Sequence, residues 1–234
     1  MKGPPELLLA LDVPTVAQAL AQVDRFAGRC HFYKVGLELF TAAGPALVET
    51  LRSRGLEVFL DLKLHDIPNT VRQAARCAAA LDVRLLTVHA SGGQAMLAAA
   101  VEGAGARCGV LGVTVLTSLT ASDLAVAWGR SPSLEVRPEV LRLAGVSVAA
   151  GAHGIVCSGA ELGEVVSRFG ETLAPLVPGI RPAGAAADDQ ARVMTPEAAV
   201  SLGARYLIIG RAVTAAPEPE AAWDSIAGAV AAAS

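Results

Sequence analysis

The chain repeats one pattern eight times: a short apolar run rich in Leu, Val and Ile, then an alanine-rich stretch with helical spacing. The predicted strands cover residues 7–13, 32–37, 58–63, 85–90, 109–116, 154–158, 173–180 and 206–211. The predicted helices cover residues 15–27, 43–54, 68–80, 93–104, 137–150, 159–168, 196–202 and 218–232. Near-continuous apolar strands are typical of parallel sheets that are buried on both faces. Eight such units in 234 residues predict an α/β fold, a single (β/α)8 TIM barrel over residues 1–234, with a doubly wound open sheet as the alternative.

The composition excludes several classes of protein. No apolar run approaches the roughly 18 residues that a membrane span requires, and residues 1–12 do not form a legible signal peptide, so we expect a cytoplasmic protein. A net charge of −3 and few aromatic residues argue against a nucleic-acid partner. The four cysteines lie far apart without metal-ligand spacing and are predicted to be buried apolar residues.

Charged residues in a mostly apolar chain point to the candidate site. Asp12 lies at the end of the first predicted strand, Lys34 lies in the second, Asp61 and Lys63 end the third, and Asp66 comes three residues later. The C-terminal ends of the strands carry the active site in this type of barrel. We expect these side chains to form a row of alternating sign, in which each lysine stays charged and can stabilise an anion or deliver a proton. A purely structural ion-pair network is the alternative.

A second group of residues predicts a phosphate site. The segments PGIR (178–181) and IGR (209–211) end the seventh and eighth predicted strands. In these barrels phosphate is frequently bound after strands seven and eight, where glycine allows close approach and arginine pairs with the anion. The longest loops, 118–136 and 181–195, follow strands and are candidate lids.

Other candidate motifs favour structural roles. Residues 103–109 contain several glycines but precede a strand, so they indicate a turn, not a dinucleotide site. The histidines lack metal-ligand spacing. Ser158 is predicted to cap a helix, because no nucleophile motif surrounds it.

Taken together, the motifs resemble one enzyme family. They are LALDVP (9–14), KVGLELF (34–40), DLKLHDIPNTV (61–71), TVHASGG (87–93), VTVLTS (113–118), VCSG (156–159), PGIRP (178–182), DDQARVMTP (188–196) and IIGRAVT (208–214). This series is similar to that of the bacterial orotidine 5′-phosphate decarboxylases, in the same order. The resemblance implies decarboxylation of orotidine 5′-phosphate to UMP, the last step of de novo pyrimidine nucleotide synthesis, with no cofactor and no metal.

The resemblance also implies the roles of the charged residues. Lys63 would protonate C6 of the pyrimidine, and Asp61 would lie against the substrate carboxylate. Asp12 and Lys34 would hold the ribose hydroxyls, and Lys34 would also order the catalytic charges. Asp66, together with Ile67 and Thr70, would reach into the site of a second subunit, so that a homodimer shares its active sites.

Further binding residues follow from the same resemblance. Thr117 and Ser118 would meet the pyrimidine ring, although which of them makes the base contact stays open. The remaining substrate contacts would come from Ile67, Thr70, Arg181, Gln190, Gly210 and Arg211. The last four would grip the 5′-phosphate, with 181–190 as the closing loop.

Two other functions remain as alternatives. A metal-dependent sugar-phosphate decarboxylase or aldolase also has a D-x-K-x-x-D strand, but the HDIPNT segment (65–70) favours the nucleotide enzyme. A catalytically silent barrel that binds a phosphate ligand is the second.

Overall fold

The strands close into a complete barrel. The computed structural model describes residues 4–129, 135–182 and 194–234, in which eight parallel strands pair in chain order. They are β1 (Glu6–Ala10), β2 (Phe32–Gly36), β3 (Glu57–Leu64), β4 (Leu85–His89), β5 (Gly109–Val113), β6 (Gly154–Val156), β7 (Ala174–Val177) and β8 (Tyr206–Ile209). β1 pairs with both β2 and β8, which closes the ring. The predicted (β/α)8 barrel is therefore confirmed, and the open sheet is wrong.

Helices follow the strands and form the outer layer. The described residues form α1 (Val16–Arg25), α2 (Leu37–Ala43), α3 (Pro45–Ser53), α4 (Pro68–Ala80), α5 (Gln94–Ala104), α6 (Ala121–Ala127), α7 (Val136–Ala149), α8 (Gly159–Phe169), α9 (Pro196–Ser201), α10 (Arg211–Thr214) and α11 (Pro219–Ala233). Each of the eight predicted helices corresponds to one of these. Among the described helices, none has both the length and the apolar character needed to cross a membrane.

Three helices were not predicted. Gly44, with a φ of +62°, separates α2 from α3, and only glycine adopts this conformation readily. α6 lies in the segment 118–136 that was predicted to be a loop, and a capping box starts it, in which Thr120 and Asp123 each bond the backbone N–H of the other. α10 begins at Arg211, so the predicted strand 206–211 is too long.

Alternate residues of the strands fill two separate cores. The inner cluster fills the barrel with one buried side chain from each of seven strands: Leu8, Phe32, Phe59, Leu85, Leu111, Leu176 and Tyr206. Adjacent residues such as Leu9 and Leu60 belong to the outer cluster, between strands and helices. Burial on both faces explains why the strands read as continuous apolar runs.

Charged and polar side chains cover the N-terminal end of the barrel. Glu6 accepts hydrogen bonds from Arg84 at 2.6 and 2.7 Å and from Arg205 at 3.0 Å. The guanidinium of Arg205 lies over the ring of Tyr206, whose hydroxyl is 3.0 Å from Nε2 of His153. Because paired groups cover this end, we expect the functional site at the C-terminal end of the barrel.

The cysteines divide into two groups. Cys30, Cys108 and Cys157 are buried as predicted, whereas Cys77 is exposed on α4, so the prediction is wrong for that residue. Burial raises the pKa of Cys30 and Cys108 to about 11. These two thiols therefore stay protonated at neutral pH.

Candidate active site

Four of the predicted charges meet at the C-terminal end of the barrel. Lys34 Nζ donates a hydrogen bond to Asp12 Oδ1 at 2.7 Å and lies 3.9 Å from Asp61 Oδ2. Lys63 Nζ donates to the same Asp61 oxygen at 2.8 Å. The structure thus places Asp12, Lys34, Asp61 and Lys63 in a row whose charge alternates from one end to the other.

The exposure of these side chains changes along the row. The side chain of Asp12 is 61% exposed and that of Lys63 is 29% exposed, whereas Asp61 and Lys34 are only 14% and 10% exposed. A nearly buried ammonium needs compensating negative charge, which Lys34 receives from the carboxylates on either side. The inner pair therefore fixes the geometry, and the ends of the row remain open to a ligand.

Gly36 provides the space for this row, a role that was not predicted from the sequence. A Cβ atom at this position would lie 3.1 Å from Lys34 Nζ and 3.6 Å from Asp12 Oδ1. The first distance is tighter than ordinary contact, so a side chain here would displace the lysine. Glycine at the end of β2 thus permits the Asp12–Lys34 ion pair.

β3 is irregular where it carries its charges. Leu60 is opposite Leu86 and Leu64 is opposite Val88, so residues 61–63 face the single residue Thr87 of β4. Within this bulge Lys63 has a φ of +48°. Such a conformation costs a non-glycine residue about 1–3 kcal/mol, and strained residues of this kind cluster at functional sites. Bulge and strain together direct the Lys63 ammonium back to Asp61.

A cavity of about 200 Å³ lies beside Lys63. Asp61, Lys63 and Thr117 supply its polar groups, and its walls are otherwise mostly apolar: Phe59, Val113, Val115, Leu116, Val156, Cys157, Leu176, Pro178 and Ile208. Ser118 is exposed and, among the described residues, is not part of this lining. The geometry therefore favours Thr117 over Ser118 for contact with a ligand in this cavity.

A second cavity, of about 180 Å³, is far more polar. Its lining combines the predicted phosphate residues with part of the charged row: Ala10, Asp12, Lys34, Asp61, Pro178, Gly179, Arg181, Ile208, Gly210 and Arg211. Arg181 is buried, and its backbone N–H donates to the carbonyl of Met194 at 2.9 Å, whereas Arg211 is exposed at the start of α10. Gln190 lies outside the described residues.

The two cavities are adjacent. Asp61, Pro178 and Ile208 line both of them. Together the cavities reach the lower end of the volumes of small-molecule sites, about 300–1,000 Å³. One ligand can therefore place an anionic group near Arg181 and a flat, less polar group beside Lys63.

Asp66, Ile67 and Thr70 do not join the row of their own chain. All three are exposed after β3, and Ile67 is 67% exposed. Asp66 Oδ1 accepts a hydrogen bond from the Ile67 N–H at 2.6 Å, and within the described ranges Asp66 forms no ion pair. The row within a single chain therefore has four members instead of the five expected from the sequence.

The remaining candidates have structural roles. Ser158 caps α8 and accepts a hydrogen bond from the N–H of Ala160, as predicted. Gly105 has a φ of +64° in the turn after α5, which agrees with the predicted turn at 103–109. His65 and His89 lie near the row, with their ring centres 5.7 Å apart.

His89 makes the stability of the fold sensitive to acid. Burial, then the proximity of His65 and of Lys63, holds the pKa of His89 below its ordinary value. The unfolded chain therefore binds the proton more readily, and the stability that neutral His89 contributes is complete above about pH 6.5 and lost as the pH falls towards the folded-state value. We expect the free energy of unfolding to fall on acidification below that pH, and less so in His89→Asn.

Denaturant unfolding followed by circular dichroism between pH 7.5 and 5.5 would measure this dependence. His31→Asn is the matched control, because His31 is exposed at the opposite end of the barrel. An identical pH dependence in wild type and His89→Asn would contradict the prediction.

Comparisons with known proteins agree on one family. The family described as Orotidine 5′-phosphate decarboxylase / HUMPS matches residues 5–226. The orotidine 5′-phosphate decarboxylase of Halorhodospira halophila is 50% identical over 231 residues, covering 99% of this chain and 98% of that protein. The one from Anaeromyxobacter sp. (strain K) is 51% identical over 228 residues, covering 97% and 99%.

Solved structures show the same likeness. The crystal structure of orotidine 5′-phosphate decarboxylase from Lactobacillus acidophilus superimposes with a TM-score of 0.84 at 33% identity, covering 97% of this chain and 99% of the other. An uncharacterized conserved protein from Geobacillus kaustophilus gives a TM-score of 0.82, also at 33% identity, covering 96% and 99%. With near-complete coverage in both directions, the chain belongs to the orotidine 5′-phosphate decarboxylase / HUMPS family.

Proposed function

We propose that this protein decarboxylates orotidine 5′-phosphate to UMP without a cofactor. Relatives at 50–51% identity are named orotidine 5′-phosphate decarboxylase, which supports the choice of substrate and reaction. The observation that carries the proposal is the position of Lys63. Its ammonium lies 2.8 Å from Asp61 at the wall of a mostly apolar cavity, and a second cavity, lined by two arginines, shares three wall residues with the first. Such a site suits a ligand with a ring at one end and a phosphate at the other.

The chemistry requires a charge such as that of Lys63. Breaking the bond between C6 and the carboxyl carbon releases CO2 and leaves the electron pair on C6, where the pyrimidine offers no adjacent electron sink. A fixed ammonium stabilises this developing carbanion, and in a site shielded from water such stabilisation is strong. Lys63 Nζ then transfers a proton to C6, which forms the C6–H bond of UMP, and water reprotonates the lysine.

Asp61 orients this proton donor. Its Oδ2 holds Lys63 Nζ and is also within 3.9 Å of Lys34 Nζ, so the carboxylate stays between two positive charges. In the proposed complex Asp61 lies against the substrate carboxylate, and Asp12 and Lys34 hold the ribose hydroxyls. The Asp61 carboxylate favours the reaction because it aligns the Lys63 ammonium with C6.

The remaining contacts anchor the substrate. Thr117 and Ser118 are proposed to meet the pyrimidine ring, with Thr117 favoured by its place in the cavity. The 5′-phosphate is proposed to bind Arg181, Gln190, Gly210 and Arg211. Binding energy from this remote group can be used to organise the reacting end of the substrate. Residues 183–190 of the predicted closing loop lie outside the described residues, so its closure stays a prediction.

We also propose that the protein is a homodimer with shared sites. Asp66, Ile67 and Thr70 project from the barrel beside the site and are exposed in the single chain. An exposed isoleucine next to an exposed carboxylate suits a contact with a second copy, in which Asp66 would extend the charged row of the partner subunit. A single catalytic domain over residues 1–234 and a cytoplasmic location also stay predictions.

The activity can be tested by ultraviolet absorbance. We expect orotidine 5′-phosphate to lose its orotate absorbance in the presence of catalytic amounts of the protein, at the same rate with and without excess EDTA. Activity that EDTA abolishes would instead favour the metal-dependent sugar-phosphate class. Absence of turnover with UMP still bound would favour a silent phosphate-binding barrel.

A further inference from the structure

The bulge in β3 requires hydrogen-bond partners that an ordinary ladder would have supplied. Between the pairs Leu60–Leu86 and Leu64–Val88, residues 61–63 of β3 face only residue 87 of β4. The extra residues of a bulge lose their ladder partners. A buried N–H left without an acceptor is costly, so another group has to satisfy it.

Thr87 provides that partner. The Lys63 backbone N–H donates to Thr87 Oγ1 at 2.9 Å, and the same hydroxyl donates its own proton to Asp61 Oδ1 at 2.9 Å. Thr87 is completely buried. One hydroxyl therefore fixes the strained backbone of Lys63 and one oxygen of Asp61 at the same time.

The direction of this hydrogen-bond chain is determined by its ends. The backbone N–H of Lys63 can only donate and an ionised Asp61 can only accept, so the group between them must accept from one and donate to the other. A hydroxyl does both. Because Thr87 holds Asp61 Oδ1 while Lys63 Nζ bonds Oδ2, the orientation of the carboxylate is fixed from both sides.

We propose that Thr87 is a positioning residue for decarboxylation, which aligns Lys63 and Asp61 without touching the substrate. This inference rests on the proposed function. It predicts that loss of the hydroxyl impairs the chemical step, because the ammonium and the carboxylate move relative to C6. Binding of the phosphate end should not change, since the described lining near Arg181 and Arg211 does not include Thr87.

The test compares Thr87→Val, Thr87→Cys and Thr87→Ser with the wild type. Valine has the shape of threonine but cannot bond, a thiol is a weak donor and acceptor, and serine keeps the hydroxyl. We expect kcat to fall about 10²-fold in Thr87→Val, since misplacement of reacting groups by about 1 Å has effects of that size. Thr87→Cys should be intermediate and Thr87→Ser close to wild type, with the Kd for UMP unchanged throughout.

Thr114→Val is the matched control. Thr114 is also a buried threonine, and its hydroxyl donates to the carbonyl of Val156 at 2.8 Å. Among the described hydrogen bonds, none joins Thr114 to Lys63 or Asp61. We expect Thr114→Val to lose stability as Thr87→Val does, measured as the melting temperature, while its kcat stays at the wild-type value.

The outcomes separate this proposal from the function on which it rests. A wild-type protein without turnover would overturn the proposed function and, with it, the role of Thr87. An active wild type with an equally active and folded Thr87→Val would overturn the role of Thr87 alone, as would equal losses of kcat in Thr87→Val and Thr114→Val. If Thr87→Val does not fold, the comparison of Thr87→Cys with Thr87→Ser decides. Equal kcat values in these two variants would overturn the role of Thr87, and a lower kcat in Thr87→Cys than in Thr87→Ser would support it.

Discussion

Replacement of Lys63 by alanine is expected to abolish turnover, with a loss of kcat of at least about 10⁴-fold, because general-acid and electrostatic contributions are removed together. The Kd for UMP should change little, since the arginines that line the second cavity remain in place. The absorbance assay measures kcat, and calorimetric titration with UMP measures the Kd. Turnover that persists in Lys63→Ala would contradict the assignment of the proton donor.

Lys63→Arg is the matched control for this experiment. A guanidinium keeps the positive charge but does not release a proton in proteins. We therefore expect Lys63→Arg to fold and to bind UMP but to remain inactive. An active Lys63→Arg would show that charge alone is sufficient and that the proton comes from another group.

Mixing two inactive variants is expected to restore activity. In a dimer of one Lys63→Ala subunit and one Asp66→Ala subunit, one of the two sites combines an intact Lys63 with an intact Asp66 from the partner. Random exchange of subunits makes half of the dimers mixed, so about a quarter of the wild-type activity should return in a symmetric dimer with shared sites. The assay is the same loss of absorbance, measured before and after the variants are mixed.

The negative control is a mixture of Lys63→Ala with Asp61→Ala. These two residues contact each other within one chain, so every site of a mixed dimer lacks one of them. No activity should return. If the first mixture also stays inactive while mass spectrometry shows that subunits exchange, Asp66 does not act across the interface.

Much of the fold and part of the site were predictable, because the signals are local. Eight apolar runs separated by helical stretches were enough to predict the barrel. Asp61 and Lys63 were found because a charge at the end of a buried strand is unusual and strand ends converge on one face of a barrel. The order β1, β2, β3 in the barrel then places Asp12, Lys34, Asp61 and Lys63 next to one another.

The parts that were missed depend on contacts between distant segments. Gly36 matters because Lys34 and Asp12 come close to it, and Thr87 matters because the register of β3 changes opposite it. Neither the close approach at Gly36 nor the register change opposite Thr87 can be inferred from the identity of the residue alone. The start of α6 was different, since the Thr120–Asp123 capping box is local and could have been recognised from the sequence.

The apolar walls beside Lys63 solvate charged and neutral groups differently. Valine, leucine and isoleucine make up six of the twelve described lining residues, and such apolar surroundings solvate an ion poorly and a small neutral molecule well. In the proposed reaction the group that leaves begins as a carboxylate and ends as CO2. The apolar lining therefore accommodates the leaving group better after the reaction, as neutral CO2, than before it, as a carboxylate. Polar replacements in this lining would reduce the difference in solvation between the carboxylate and CO2.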